Sequence, residues 1–202
     1  MADTSAPAQT ATAIEPPDRY VSFAAEINVT TTETLIAQMA RFANEGAKHV
    51  YLMLSTPGGS VREGIALYNV LRALPFHLTT HNVGNVDSIG TAVFLAGDER
   101  YAAPHTTFMF HGVGFSAPGG QRFEEKFLRE RLEGIEADHR RIGAIIQERT
   151  QIPEASVSEL FIQAQTKDAE SAAGLGIVHA VQEVRIPPGS PVFALVFQRQ
   201  TG

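Results

Sequence analysis

A chain of 202 residues, 44% hydrophobic and 19% charged, has room for one globular domain with a sizeable core and little for a second. Its 16 Lys+Arg against 22 Asp+Glu leave a net charge of -6, without the clustered cations that displace counterions from a polyanion, so nucleic acid is not an expected partner. The absence of cysteine excludes disulfides, thiolate zinc sites and cysteine nucleophiles.

Residues 1–18 are rich in Ala, Thr, Ser and Pro and poor in large apolar side chains. Such a stretch cannot offset its ordering entropy, which predicts a disordered tail before one domain over 19–202. It has no basic start followed by an apolar segment of signal-peptide length, and no run of about eighteen apolar residues occurs anywhere. A cytoplasmic protein with no membrane partner is expected.

From Tyr20, YVSFAAEI reads as a strand, TTTETLIAQMARFANEG as a helix opened by a Thr cap and closed by Gly46, and HVYLMLS as a buried strand. STPGGS then leads to the helix REGIALYNVLRAL, with Ile65, Leu67, Val70, Leu71 and Leu74 on one face and Pro75 at its end. HLTTHNV is the next strand. GNVDS passes into a small-residue helix, IGTAVFLAG, and TTFMFHGVG reads as a further strand.

A long charged helix is predicted over 122–149, with Phe123, Phe127, Leu132, Ile135, Ile142 and Ile146 recurring at helical spacing, so that one face needs covering. A shorter helix from Glu154, a capped one from Asp168 to Ala173, and the strands GIVHAVQEV and PVFALVF finish the chain. Alternating strands and helices indicate an α/β domain.

Three places carry potential chemistry. Gly58 and Gly59 lie between a strand and a helix, where backbone can approach a ligand and the Gly59 N–H can face a developing oxyanion. Ser88 stands where a strand hands over to a helix whose free N–H groups and dipole favour negative charge, with the Ile89 N–H as second donor. His111 emerges from an apolar strand into the Gly-rich GVGFSAPGG, a suitable place for a general base. Each also has a plain structural reading: a turn, an N-cap serine, a core histidine. The remaining histidines, His49, His77, His81, His105, His139 and His179, show no metal-ligand spacing, so no metal and no cofactor are expected.

Taken in order, STPGGSVREGIALYNVLRAL, GNVDSIGTAVFLAG and FMFHGVG resemble the proteolytic subunit of the Clp protease over about Tyr20 to Val184. The resemblance implies the α/β fold of the ClpP and crotonase families, a spiral of β-β-α units with a protruding handle helix, here about 122–149. It implies serine-peptidase activity on peptides or unfolded proteins, with Ser88 as nucleophile, His111 as base and Gly59 and Ile89 as oxyanion donors. Gly58, Gly112 and Gly114 would line the substrate, which could add as a strand beside 112–120. It also implies a homo-oligomeric ring, in that family a double heptamer, enclosing the sites.

Three departures bear on this. Counting back without gaps from AAGLGIVHAV puts the family's triad aspartate on Leu160, next to Glu159. A gap would admit Glu159, and Asp168 could approach from the next loop; the triad acid orients and stabilises the histidine, so its loss costs rate. Asp87 replaces a small neutral residue beside Ser88 and would oppose the oxyanion unless turned away. The tail replaces the segment the family uses for gating, which argues against coupling to a Clp-type ATPase. Two other readings follow: an inactive or weakly active ring subunit, and a crotonase-like acyl-CoA enzyme, which would need no Ser88–His111 pair.

Overall fold

The buried Tyr20, Val21 and Phe23 of β1 (Arg19–Ala24) and the apolar run of β2 (His49–Thr56) make two neighbouring parallel strands, with Tyr20 opposite Tyr51 and Phe23 opposite Leu54. The computed structural model describes residues 18–115, 119 and 122–197. The predicted tail, Asp18 apart, lies outside the described residues.

Between these strands runs α1 (Val29–Asn44), which buries Leu35, Met39 and Phe42. Its cap is Asn28 rather than a threonine: Thr31 N–H donates to Asn28 Oδ1 at 3.1 Å, and Asn28 N–H donates to Thr31 Oγ1 at 3.0 Å. A reciprocal pair satisfies two end donors at once, which a lone Thr cap does not. Helix α2 (Val61–Ala73) starts at Ser60, buries Leu67, Tyr68 and Leu71, and stops because Leu74, ahead of Pro75, is extended.

Strand β3 (His77–Asp87) runs past the predicted end at Val83. Gly84 and Asn85 look like turn residues, but the chain stays extended there while the register against β2 shifts between Leu54 and Thr56. The strand therefore serves two partners. Its first half pairs with β4 (Glu99–Ala102) through Thr79–Asn82, and its second half with β5 (Thr107–Met109) through Asn85–Asp87. Between β3 and β4 lies α3 (Gly90–Phe94), wholly buried and shorter than predicted.

The long helix is α4 (Glu125–Arg149). Only its C-terminal part, Ile142, Ile145 and Ile146, reaches the core; Leu128 and Leu132 are 46% and 56% exposed, so the first half projects. After it come α5 (Glu154–Gln163), β6 (Thr166–Asp168), α6 (Ala169–Gly174), β7 (Ala180–Val181) and β8 (Val192–Leu195). The strands predicted at 106–114, 176–184 and 191–197 are thus trimmed to β5, β7 and β8, since only those residues find a sheet partner.

The sheet order is β6-β5-β3-β2-β1-β8, with β4 on β3 and β7 on β4. Every pairing is parallel except β5 with β6. On β8, Phe193 meets Phe42 of α1 edge-on at 4.8 Å, extending the core to the far strand.

Asp98 ties the α3–β4 turn to the start of β3. Its carboxylate accepts from Leu78 N–H at 3.0 Å and from Arg72 at 2.5 Å. Burial pushes its pKa up, but these hydrogen bonds outweigh it and hold the carboxyl below its ordinary value. A depressed folded pKa stabilises above the unfolded value of about 4 and is lost as pH falls through the folded one. Carried from neutral pH into that acid range, the unaltered chain should lose more Tm than Asp98→Asn does; equal losses would remove Asp98 from the acid response.

Candidate active site

Ser88 follows β3 with φ 56, a left-handed conformation that a serine adopts only when its surroundings impose it. They do so from both sides. Ser88 N–H donates to Met109 O at 2.7 Å, while Ser88 O accepts from Thr91 N–H at 3.1 Å and Thr91 Oγ1 at 2.7 Å. Its hydroxyl caps nothing; the residue preceding α3 is Ile89, which makes no side-chain cap. The N-cap reading of Ser88 therefore fails, and Oγ is left at the mouth of a cavity of about 140 Å³.

That cavity brings together Ser88, His111, Gly59, Ile89 and Gly114 from the predicted site. Val61, Phe110, Val113, Ile142 and Phe161 give it an apolar wall drawn from α2, α4, α5 and the stretch after β5. Gly58 and Gly112 stand just behind the lining. Gly58 has φ 88, and a Cβ there would lie 2.6 Å from Ser88 Cβ, so only glycine lets the turn close under the serine. Gly59, at φ 145, bridges to Ile27 through Ser60 N–H on Ile27 O and Ile27 N–H on Gly58 O, both 2.8 Å. The Gly59 and Ile89 N–H groups donate to nothing among the described residues, and both residues line the serine cavity.

Asp87 does not enter that cavity. Its carboxylate accepts from Asn85 Nδ2 at 2.6 Å, two residues back on the same face of β3 and opposite the buried Val86. Alternation along a strand thus turns it away from the oxyanion donors.

His111 is exposed, not a core histidine, and no hydrogen bond joins it to Ser88 among the described residues. Its Nδ1 is 2.8 Å from Gly112 O. A carbonyl can only accept, so Nδ1 carries a proton, and in the neutral ring Nε2 is then bare, the tautomer a general base requires.

Leu160 is not beside His111. It is 4% exposed, on the buried face of α5 with Val157. The β5–β6 ladder pairs Thr107 with Asp168 and Met109 with Thr166, and Phe110 N–H donates to Gln165 O; the next step sets Ala164 abreast of His111. Ala164, at φ 47, ends α5 and offers only a methyl group. The gapless count missed this because the turn between helix and strand, not the sequence interval, fixes which residue faces the histidine. Glu159 is on the exposed side of α5. Asp168 lies four residues down the ladder, about 13 Å away at strand spacing; its carboxylate accepts from Ser171 N–H at 2.8 Å, and hydrogen bonding from the Ser171 side chain and then its N–H lowers its pKa. No carboxylate supports His111 among the described residues.

Two residues near the site escaped the sequence reading. His139 stacks on Phe161 at 5.0 Å and 8°, and its Nε2 accepts from Val113 N–H at 2.8 Å. Its position between Ile135 and Ile142 in the apolar stripe of α4 was the available signal that it faces inward. Among the described residues no group of three histidine or acidic side chains is placed to hold a metal ion, and no helix is long and apolar enough to cross a membrane.

The family model described as Clp protease matches residues 11–185. A curated relative, the ATP-dependent Clp protease proteolytic subunit of Oltmannsiellopsis viridis, is 31% identical over 141 residues, covering 69% of this chain and 70% of its own. Among solved structures, a point mutant of ClpP1 from Listeria monocytogenes superposes with a TM-score of 0.72 at 21% identity, over 82% of this chain and 92% of that one; this likeness concerns the fold. With a match across most of its length and a cavity built from the three motifs that first suggested the resemblance, the chain belongs to the Clp protease family.

Proposed function

We propose that the protein is a serine peptidase acting on peptides or unfolded proteins. Ser88 Oγ attacks the scissile carbonyl carbon while its proton passes to His111 Nε2, and the Gly59 and Ile89 N–H groups take the oxyanion. His111 returns the proton to the amine as the C–N bond breaks. Water then attacks the acyl-serine, losing a proton to His111, which passes it to Ser88 Oγ as the acyl–oxygen bond breaks and the acid leaves. The observation that carries this reading is the forced left-handed Ser88, opening with a bare-Nε2 histidine and two free N–H donors onto one cavity. The apolar wall fits an uncharged side chain on the acyl side of the cut bond.

The projecting half of α4, with its exposed Leu128 and Leu132, supports assembly of rings face to face, the way the family's handle helices dock. The domain is taken as 19–202, with the site within a cytoplasmic ring. A second reading, a ring subunit with little or no activity, draws support from Ala164 abreast of His111 and from the unjoined Ser88 and His111.

Fluorophosphonate labelling read by intact mass separates the two. One adduct per chain on Ser88, absent from Ser88→Ala and His111→Ala, is the expected result. No adduct on the folded, assembled chain would overturn the peptidase reading and leave the inactive subunit.

A further inference from the structure

One peptide group, Gly112–Val113, touches both imidazoles near the cavity. Its carbonyl is 2.8 Å from His111 Nδ1, and its N–H donates to His139 Nε2 at 2.8 Å. Both tautomers follow from donor and acceptor chemistry alone. The carbonyl can only accept, so His111 carries its proton on Nδ1; the N–H can only donate, so His139 is bare at Nε2. The result is an unbroken chain from His111 through a peptide to His139.

The far end of this chain is held firmly. His139 projects from the part of α4 just before the buried Ile142, and its ring lies flat on Phe161 of α5. Gly112 fits against the same shelf: a Cβ there would lie 3.2 Å from Phe161 O and 3.3 Å from His139 Nε2, tighter than ordinary contact. Two helices therefore fix the plane of the peptide on which His111 leans.

We infer that the Gly112–Val113 peptide group, held by His139, takes over the orienting role of the missing triad acid. This rests on the serine-peptidase reading above. In a serine triad the acid fixes the tautomer and ring orientation of the base and stabilises the imidazolium that forms. Here a carbonyl dipole does both, strengthened because its own N–H is engaged; hydrogen bonds in series polarise one another. It supplies no full negative charge, so it restores part of the acid's effect. His139 is a positioning residue: it never meets substrate and acts through the peptide and His111.

Three chains test this: the unaltered protein, His139→Phe, which keeps an aromatic ring for Phe161 but has no acceptor, and His139→Gln, whose Oε1 replaces Nε2 as acceptor. The readouts are the rate of Ser88 phosphonylation, kcat and KM on a fluorogenic peptide with an apolar acyl-side residue, and the ¹⁵N resonances of His111. His139→Phe should lower the labelling rate and kcat about 10- to 100-fold with KM little changed, and His139→Gln should recover most of that loss. The His111 nitrogens should show a single Nδ1–H tautomer in the unaltered chain and a tautomer mixture in His139→Phe.

Labelling of the unaltered chain together with an unchanged rate and tautomer in His139→Phe would overturn the relay and leave the peptidase reading intact. Failure of the unaltered chain to label would overturn both. Should His139→Phe not fold, the resonances of the unaltered chain still decide, because a His111 protonated at Nε2 has no use for the carbonyl.

Discussion

Gly59→Ala should cost about 10²- to 10³-fold in kcat, the usual consequence of losing one oxyanion donor. An added Cβ would lie 2.2 Å from Ile27 O, a backbone atom that cannot rotate aside, and φ 145 is foreign to alanine. The turn must move. In moving it breaks the bridge by which Ser60 N–H and Gly58 O hold Ile27, and it swings the Gly59 N–H off the site beside Ser88. Strained backbone and two strained hydrogen bonds also predict a stability loss of about 3 kcal/mol. Gly46→Ala is the control: it has φ 76 too but meets nothing within 4 Å, so it should cost about 1 kcal/mol and leave hydrolysis unchanged. Peptide hydrolysis and urea denaturation of the two variants check this, and a Gly59→Ala chain with full kcat would remove Gly59 from the oxyanion site.

Arg100→Met should destabilise the fold strongly, by about 3–5 kcal/mol, through the main-chain acceptors it leaves without a donor. Arg100 is 5% exposed, and its guanidinium donates to Ile177 O at 2.8 Å, Arg149 O at 2.9 Å, and Gly97 O and Gly176 O at 3.2 Å each. Burial and the neighbouring Arg149 and Arg72 push its pKa down to about 10, so it keeps its charge at neutral pH. Those carbonyls end α4, follow α3 and follow α6, where no helical N–H remains to reach them. Methionine fills the volume and leaves the Ile177, Arg149 and Gly176 carbonyls without this donor, while Gly97 O keeps Arg149 Nη2 at 2.8 Å. Lysine should rescue little, since a point charge cannot span the fork. By contrast, removing an exposed ion pair such as Arg129–Glu125 should change stability by less than about 1 kcal/mol. Equilibrium denaturation decides; a loss under about 1 kcal/mol for Arg100→Met would show those carbonyls find water instead.

The same arginine shows why part of the fold was hard to read. β4 is ERYA, with no apolar alternation, and its one deeply buried long side chain is a cation satisfied by main-chain oxygens from distant segments. Nothing local announces that. β6 is three residues long and owes its existence to β5, so it too was invisible. The elements that were legible, α1, α2, α4, β1 and β2, carry their own apolar periodicity, although on α4 only Ile142 and Ile146 of the predicted stripe are buried and Leu132 stays exposed.

The site divides along the same line. Gly58, Gly59, Ser88 and His111 were legible because each sits at a strand end in a motif read within a few residues. The support for His111 was not, because it depends on a ladder register that turns on Ala164 and on a histidine 28 residues further along, counted from His111 to His139, reaching back across a helix. For Asp87 the sequence left two orientations and favoured the one pointing away from the oxyanion; strand alternation and the hydrogen bond from Asn85 hold it there.

The outermost pairing of the sheet has a bearing on how the chain reaches this state. β8 lies parallel to β1, with Tyr20 opposite Val192 and Phe23 opposite Leu195, so β1 gains its outer neighbour from a strand that leaves the ribosome much later. Until then β1 exposes a row of open backbone groups, and the face of Phe42 that Phe193 will cover stays wet. Such distant partners make closure slow, since the loop entropy is spent before the contact returns it. A nascent chain thus carries a sticky edge from the emergence of β1 until β8 arrives, and its yield in the cell should depend on holding that edge apart from other chains in the interval.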